Sequence, residues 1–365
     1  MQRATQLVTS PEVGPSETLA TPEEVSSPTQ RRRWRFSDIG AWLFQDYRVT
    51  YLRENVKIKE AKRFTFLRLG VAYMLSIAAK RIPHAAMNTE FDVTALLEYG
   101  KEKEHALHHS GAAMTNEILF RRAIHKNFSA FFVKAIAHAL HHTPCMNAFL
   151  DYSPLRYGGT LYQAEDINIG VTVHTKYGVI RPVIRNAHQK TIEQVANELR
   201  DLSRRARRTD PEELYRGAVW EYMGPALRHL DFRALYPGFL MARDMLFTRR
   251  KAEAEADRVP AGQKLAVHEI LGATCSLANI GMMIPGCQTV TVLAPPEVMM
   301  FGLGDMHMAP RVVNGEVVAR CVISLCATMD HRAYDAGEAF PFGTFMKRYT
   351  SDPGLIYEWK PGNEI

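Results

Sequence analysis

The 365-residue chain is poor in cysteine and has no long apolar run. Its five cysteines, Cys145, Cys275, Cys287, Cys321 and Cys326, are an odd number without a CxxC pair. That argues against a disulfide framework and for buried free thiols in a reducing compartment, with the cytoplasm as the expected location. No stretch reaches roughly 18 uncharged apolar residues, which excludes an obvious transmembrane helix. Residues 1–30 carry no apolar core of a secretory signal, and Glu12, Glu17, Glu23 and Glu24 are out of place in a transit peptide. There is no zinc-finger spacing and no aromatic–basic repeat, so nucleic acid is not an expected partner. The net charge is a modest +6, from 45 Lys and Arg against 39 Asp and Glu. With 46% apolar and 23% charged residues the chain is neither wholly disordered nor fibrous.

Residues 1–30 are polar and Pro-rich and read as a disordered tail. In the basic-aromatic segment 31–63, Arg31, Arg32, Arg33 and Arg35 flank Trp34, and Phe36, Trp42, Leu43 and Phe44 follow. Residues 31–44 suit docking to a protein partner or an anionic surface; they also suit a plain basic linker running into a packing helix. The globular pattern then begins. Helical spacing covers 64–80, Asn88–Val93 reads as a strand, Thr94–His109 as a helix, and Ser129–His142 as a long helix stopped by Pro144. Ile167–His174 alternates as a strand and Val179–Ile184 returns from a turn. Thr191 and Gln194 fit a capping box at the start of the next helix. Residues 209–267 are helical, aromatic and Met-containing and read as an insertion. Val312 and Val313, Asn314-Gly315, then Val317 and Val318 form a hairpin signal. A strand at Val322–Ala327 and a helix at Asp335–Tyr349 complete a mixed α/β pattern, with residues 351–365 as a C-terminal tail.

The sharpest local motif is His331-Arg332-Ala333-Tyr334-Asp335-Ala336-Gly337. A histidine at a strand end is placed to take and return a proton, and an acid four residues on can brace its loop. Alone, the motif is weak, and a loop histidine followed by an N-capping Asp335 is the plainer reading. His105, His108 and His109 on one helix and His138, His141 and His142 on another have spacings that can pair metal ligands. No Cys or carboxylate cluster completes a site, so no metal is expected; helix-terminal or solvated histidines are the plainer reading.

Four ordered segments give the motif its context: Pro83-His84 with Phe91-Asp92-Val93-Thr94-Ala95-Leu96; Asp166 to Val171 continuing to Arg181-Pro182-Val183-Ile184-Arg185-Asn186-Ala187; Ala278-Asn279-Ile280-Gly281 with Pro295-Pro296-Glu297-Val298; and Ser324 to Gly337. Together, from Phe64 to Tyr349, they resemble the catalytic domain of the acyltransferase component of 2-oxoacid dehydrogenase complexes. The resemblance implies a chloramphenicol-acetyltransferase-like two-layer α/β sandwich with a mixed sheet, here a catalytic domain over 64–350 carrying the helical insertion. It implies acyl transfer between a coenzyme A thioester and a thiol such as dihydrolipoamide, or a hydroxyl or amine. His331 would be the general base, Asp335 a structural acid paired with Arg68 of the first helix, and Arg332 a further support. The active sites would lie between subunits of a homotrimer. Coenzyme A enters as substrate. No lipoyl or peripheral-subunit-binding character precedes the core, so no lipoyl attachment is expected on this chain. The oxyanion region would be Ala278, Asn279 and Ser276, and here the sequence departs from the family: Ala278 stands where the resemblance implies a Ser or Thr. Ser276 would share the face of Ala278 without occupying its place. Ala336 stands where the family has glycine. A trimeric scaffold without catalysis is the alternative that Ala278 raises.

Overall fold

The computed structural model describes residues 47–62, 64–107, 116–153, 157–176, 178–228, 239, 259–281 and 287–364. The chain divides into two units, Met1–Arg63 and Phe64–Ile365. In the first, a helix (α1) covers 47–55, where Asn55 Nδ2 donates to the Tyr51 carbonyl at 2.8 Å. The 31–44 segment lies outside the described residues.

The second unit is built on a six-stranded mixed sheet in the order β1-β10-β9-β8-β4-β7. Its strands are β1 (His84–Asp92), β4 (Ile169–Val171), β7 (Val183–Ile184), β8 (Cys275–Asn279), β9 (Met299–Val313) and β10 (Glu316–Asp330). β8 runs parallel to both β4 and β9; the other pairs are antiparallel. Two hairpins stand beside it, β2 (Ala148–Ser153) with β3 (Gly158–Gln163) and β5 (Val173–Thr175) with β6 (Gly178–Ile180). The helices are α2 (Phe66–Arg81), α3 (Thr94–Leu107), α4 (Asn116–His141), α5 (Ile192–Ala206), α6 (Pro211–Arg228), α7 (Ala336–Ser351) and α8 (Gly354–Tyr357). The core forms where Phe131, Phe132 and Ile136 of α4 meet Leu277, Phe301, Leu303 and Leu325 of the sheet. No helix among the described residues is long and apolar enough to cross a membrane, and all five cysteines are free.

Several local expectations hold. Thr191 and Gln194 form the capping box of α5, each side chain bonding the other's backbone N–H. Asn314 and Gly315 both take positive φ, 53° and 87°, as the two-residue turn between β9 and β10 requires. Other boundaries move. β1 starts at His84, α4 at Asn116, and the alternating run near 167–174 breaks at Thr172, so that β4 joins the main sheet while β5 pairs with β6. β9 and β10 are each fifteen residues, far longer than the apolar dipeptides around the turn suggested. Pro310 is tolerated because β8 pairs only as far as Leu303, so the outer edge of β9 needs no N–H there.

The 209–267 region begins with α6 and ends in short 3-10 turns, Ala261–Gln263 and Val267–Ile270. Its residues 229–238 and 240–258, including Phe232, Phe247 and the charged run at 251–257, lie outside the described residues, as do His108 and His109. Of the arginines ending α5, Arg204, Arg207 and Arg208 are exposed, whereas Arg205 is committed. Arg205 donates to both carboxylate oxygens of Glu269 at 2.6 and 2.7 Å and to Asp201 at 2.7 Å, clamping α5 to the 3-10 turn.

Of the α4 histidines His138 is packed, whereas His141 is exposed. His138 is buried edge-on to Trp359 and Tyr349. Its Nε2 meets no hydrogen-bond partner among the described residues. Lys134, one turn earlier, donates to the carbonyls of Ala187 and His188 and lies 3.5 Å over the Trp359 ring. Among the described residues no group of His, Cys, Asp and Glu is arranged to hold a metal. Burial first, then the positive charges of Lys134, His188, His141 and His142, hold His138 down at about 3, far below its usual 6.5. The folded state therefore keeps this imidazole neutral, and the unfolded chain binds a proton that the folded chain refuses. The contribution of His138 is complete above pH 6.5 and is lost as pH drops through the interval toward 3. Urea unfolding should show a loss approaching about 1.4 kcal/mol per pH unit below that point. His138→Phe should flatten the slope; an unchanged slope in that variant would assign the acid sensitivity to another group.

Candidate active site

β10 runs out at Asp330, opposite His84 at the start of β1. The chain then turns through His331, Arg332 and Ala333 before α7. Backbone bonds pin both sides of the turn: Asp330 N–H donates to the Val298 carbonyl at 3.0 Å and His331 N–H to the Pro83 carbonyl at 3.1 Å. The buried Asp330 carboxylate accepts three bonds from Arg332, from its backbone N at 3.0 Å, Nε at 2.9 Å and Nη2 at 2.5 Å. The other side of that guanidinium rests on the Tyr152 ring of β2, 5.2 Å from its centroid. A histidine between two so firmly held neighbours has few backbone conformations left.

The His331 side chain is 47% exposed, and its Nδ1 lies 3.4 Å from Asp335 Oδ1. A carboxylate on that side favours the tautomer with the proton on Nδ1, which leaves the lone pair on Nε2. Asp335 is itself the N-cap of α7, and its N–H donates to Glu338 Oε2 at 3.0 Å. Both readings of Asp335 therefore meet in one residue. Ala336 is the first helical residue and does not appear among the described positive-φ positions, so no glycine is needed there.

The residues expected to form the oxyanion region, Ala278, Asn279 and Ser276, lie elsewhere on the sheet, in β8. Ala278 pairs with Gly302 of β9, and Gly302 with Cys326 of β10. From Ala278 to Asp330 is thus two strands across and four residues along, about 16 Å at ordinary sheet spacings. Ala278 and His331 of one chain cannot close on the same carbonyl. Alternation puts Asn279 on the α4 side, where its Nδ2 donates to Ser129 Oγ at 3.1 Å. Ser276 shares the face of Ala278 but is fully buried. Its Oγ accepts from Arg181 Nη1 and donates to Glu297 Oε2, both at 2.5 Å. Arg181 Nη1 also meets Glu297 Oε1 at 2.6 Å. Burial pushes the Glu297 carboxyl up, against the pull of Arg181 and the Ser276 hydroxyl.

Of the expected groups, the structure joins His331 to Asp335 and Arg332 to the same turn. It does not join Asp335 to Arg68: the Arg68 guanidinium stands over the Phe64 ring, 5.9 Å from its centroid. The carboxylate partners of Arg332 and Arg181 are Asp330 and Glu297, and neither is marked by its local sequence as a partner of its arginine. A cavity of about 790 Å³ lies apart from these residues, lined in part by His141, Glu165, His188 and Trp359. Arg332→Ala strands a buried carboxylate, and chemical denaturation should report a loss of about 3 kcal/mol. A loss under about 0.5 kcal/mol, the size of an ordinary surface substitution, would show that the turn is held by its backbone bonds alone.

Comparison with known proteins gives the site its setting. The profile of the 2-oxoacid dehydrogenases acyltransferase (catalytic domain) family matches residues 57–218 and 249–357. The dihydrolipoyllysine-residue acetyltransferase component of the Staphylococcus aureus pyruvate dehydrogenase complex is 25% identical over 291 residues, 80% of this chain and 51% of that protein. Its Bacillus subtilis counterpart is 24% identical over 296 residues, 81% of this chain and 51% of that protein. The chain thus spans about half the length of these curated relatives. Among solved structures, the cubic core of a pyruvate dehydrogenase multienzyme complex superposes with a TM-score of 0.57 at 20% identity, over 83% of this chain and 95% of that one. A truncated catalytic core of the Thermoplasma acidophilum 2-oxoacid dehydrogenase complex gives 0.52 at 17% identity, over 81% and 99%. The mixed-sheet α/β architecture is the one these cores share.

Proposed function

The chain belongs to the family of 2-oxoacid dehydrogenase acyltransferase catalytic domains, and from that premise we propose that it moves an acyl group between a coenzyme A thioester and a dihydrolipoamide-like thiol, with His331 as general base. The observation that carries this reading is the half-exposed His331 ring on a turn fixed by Asp330 and Arg332, with Asp335 beside Nδ1. Nε2 takes the proton of the attacking thiol, whose pKa near 8.5 would otherwise leave little thiolate at neutral pH. The thiolate adds to the thioester carbonyl. The tetrahedral intermediate then expels the coenzyme A thiolate, which recovers the proton from the imidazolium. One carbon–sulfur bond forms, one breaks, and no net proton is consumed. Run backward, the same steps charge coenzyme A.

The separation of about 16 Å between Ala278 and Asp330 favours a site assembled from two copies, hence a homotrimer in which His331 of one subunit faces β8 of its neighbour. Ala278 favours a second reading, a trimeric scaffold that no longer catalyses, because losing one oxyanion donor costs about 10²- to 10³-fold in rate. One experiment separates them. Purified protein with acetyl-CoA and dihydrolipoamide should consume thioester, and His331→Ala should slow this by about 10²- to 10⁴-fold. A rate that survives the substitution unchanged rejects His331 as the base, and no rate in either protein favours the scaffold. Light scattering should report a trimer or a multiple of three; a clean monomer contradicts the shared site.

A further inference from the structure

An acyl-transfer site on β8 needs a donor for the oxyanion, and position 278 has no hydroxyl to give. We propose that the guanidinium of Arg181 takes that role, a cation fixed on the Ala278 face of the sheet in place of the missing hydroxyl. The proposal rests on the acyl-transfer reading above.

The path of the side chain is built into the sheet. Gly170 of β4 lies opposite Ser276 of β8. A Cβ at Gly170 would come within 3.0 Å of Arg181 Cδ and 3.1 Å of its Cγ, so the glycine leaves the channel through which the arginine stem crosses β4. The head group then arrives at Ser276, on the face that Ala278 also presents. Two residues along a strand are about 7 Å, so the guanidinium lies one side-chain length from the place where a hydroxyl at 278 would project.

Its bonding leaves donors over. The described polar contacts of the Arg181 side chain, to Ser276 and Glu297, all run through Nη1. A guanidinium carries five N–H groups, so those on Nε and Nη2 remain for an incoming oxygen. The side chain is 31% exposed, against full burial of Ser276, so substrate can reach the one and not the other. The remaining polar groups on β8 fail on position. Asn279 points to α4, and the Ser276 hydroxyl is committed to the arginine and Glu297. On β9 the facing residue is Gly302, and the Thr289 and Thr291 methyl groups fill the space a side chain there would take. Glu297 and Ser276 hold the cation before substrate arrives, and a preorganised donor of this kind needs no rearrangement as charge develops on the carbonyl oxygen.

Arg181→Gln, Ala278→Ser and the double variant, assayed as trimers with acetyl-CoA and dihydrolipoamide, test the idea. Arg181→Gln should lower kcat by about 10²-fold with little change in KM. Ala278→Ser should add only a few-fold to the parent chain yet restore about tenfold or more in the Arg181→Gln background, since the serine then supplies the absent donor. A merely structural arginine would not be rescued by a hydroxyl two residues from its partner. If Ala278→Ser gives the same factor in both backgrounds, or if Arg181→Gln keeps full activity while His331→Ala abolishes it, the role of Arg181 is overturned and the acyl-transfer reading stands. If the parent chain transfers nothing, that reading falls and this proposal with it. Should Arg181→Gln fail to fold, Arg181→Lys retains a cation for Glu297 but loses the planar fork. The same comparison then applies: a slow lysine variant that the serine rescues supports the role, and one as fast as the parent overturns it.

Discussion

The antiparallel ladder between β9 and β10 fixes almost everything else in the second unit. Its register is set by the Asn314-Gly315 turn, from Val313 opposite Glu316 to Met299 opposite Met329. Beyond the irregularity at Ile323/Leu325, β10 is buried on both faces, and the two faces differ. Leu325, Ala327 and Met329 join the apolar core under α4, while Cys326, Thr328 and Asp330 alternate to the other side. There Thr328 shares a hydrogen bond with Thr291, and Asp330 receives Arg332. A slip of one residue would exchange the two sets and drive a hydroxyl and a carboxylate into hydrocarbon, each unpartnered polar group costing about 1–3 kcal/mol or more. The turn that begins at His331 is therefore positioned by pairing that starts fifteen residues earlier.

Two buried carboxylates follow from that register, and each is answered by an arginine. Asp330 meets Arg332, and Glu297 meets Arg181. They are neighbours in the fold, because Asp330 N–H bonds to the carbonyl of Val298, the residue after Glu297. Neither pair is a strong argument for stability, since desolvating two charges offsets much of what their attraction returns. Their value is geometric. A guanidinium that must stay on a buried carboxylate holds its segment in one place, and both pairs lie where β9 begins, beside a residue of the candidate site. His331 is adjacent to one pair, and Ser276, two residues from Ala278, is inside the other.

What the sequence made legible were features that depend on near neighbours. The Thr191–Gln194 capping box, the Asn-Gly turn and the helix opening at Asp335 are all decided within a few residues. The ordered segments around Asp330-His331-Arg332 carried the family-level reading, which the profile match supports over most of the chain. Features decided at long range were not legible. β9 contains Gly302, Gly304 and Pro310 and does not alternate as a strand should, yet it is central because those glycines admit Thr289, Thr291 and Ser324 from neighbouring segments. The β2–β3 hairpin has no local signal, because its stabilising pair, Phe149 on Tyr162, spans the loop. His138 read as a helix-end histidine because nothing local announces that Trp359, more than two hundred residues on, will close over it. The Arg68–Asp335 pair failed in the other direction: a role carried over by resemblance requires the whole intervening fold to agree, and here Asp335 turns to His331 instead.

The alanine at 278 is the sharpest departure, and its consequence depends on what surrounds it. In water a lost hydroxyl is replaced by solvent at little cost. On a β8 face that holds Ser276 fully buried and Glu297 nearly so, solvent is largely excluded, and an oxyanion formed there must find a fixed dipole or charge. A neutral hydroxyl offers one hydrogen bond, whereas a guanidinium offers several and carries charge, although the adjacent Glu297 carboxylate tempers its field. The exchange also relaxes geometry. A serine at 278 would have to meet the oxyanion at a single point on the strand, while a planar fork reached across Gly170 covers a wider area with more than one N–H. On the proposed reading, acyl transfer would survive the loss of the hydroxyl because the cation beside it is already held for a different reason, the burial of Glu297.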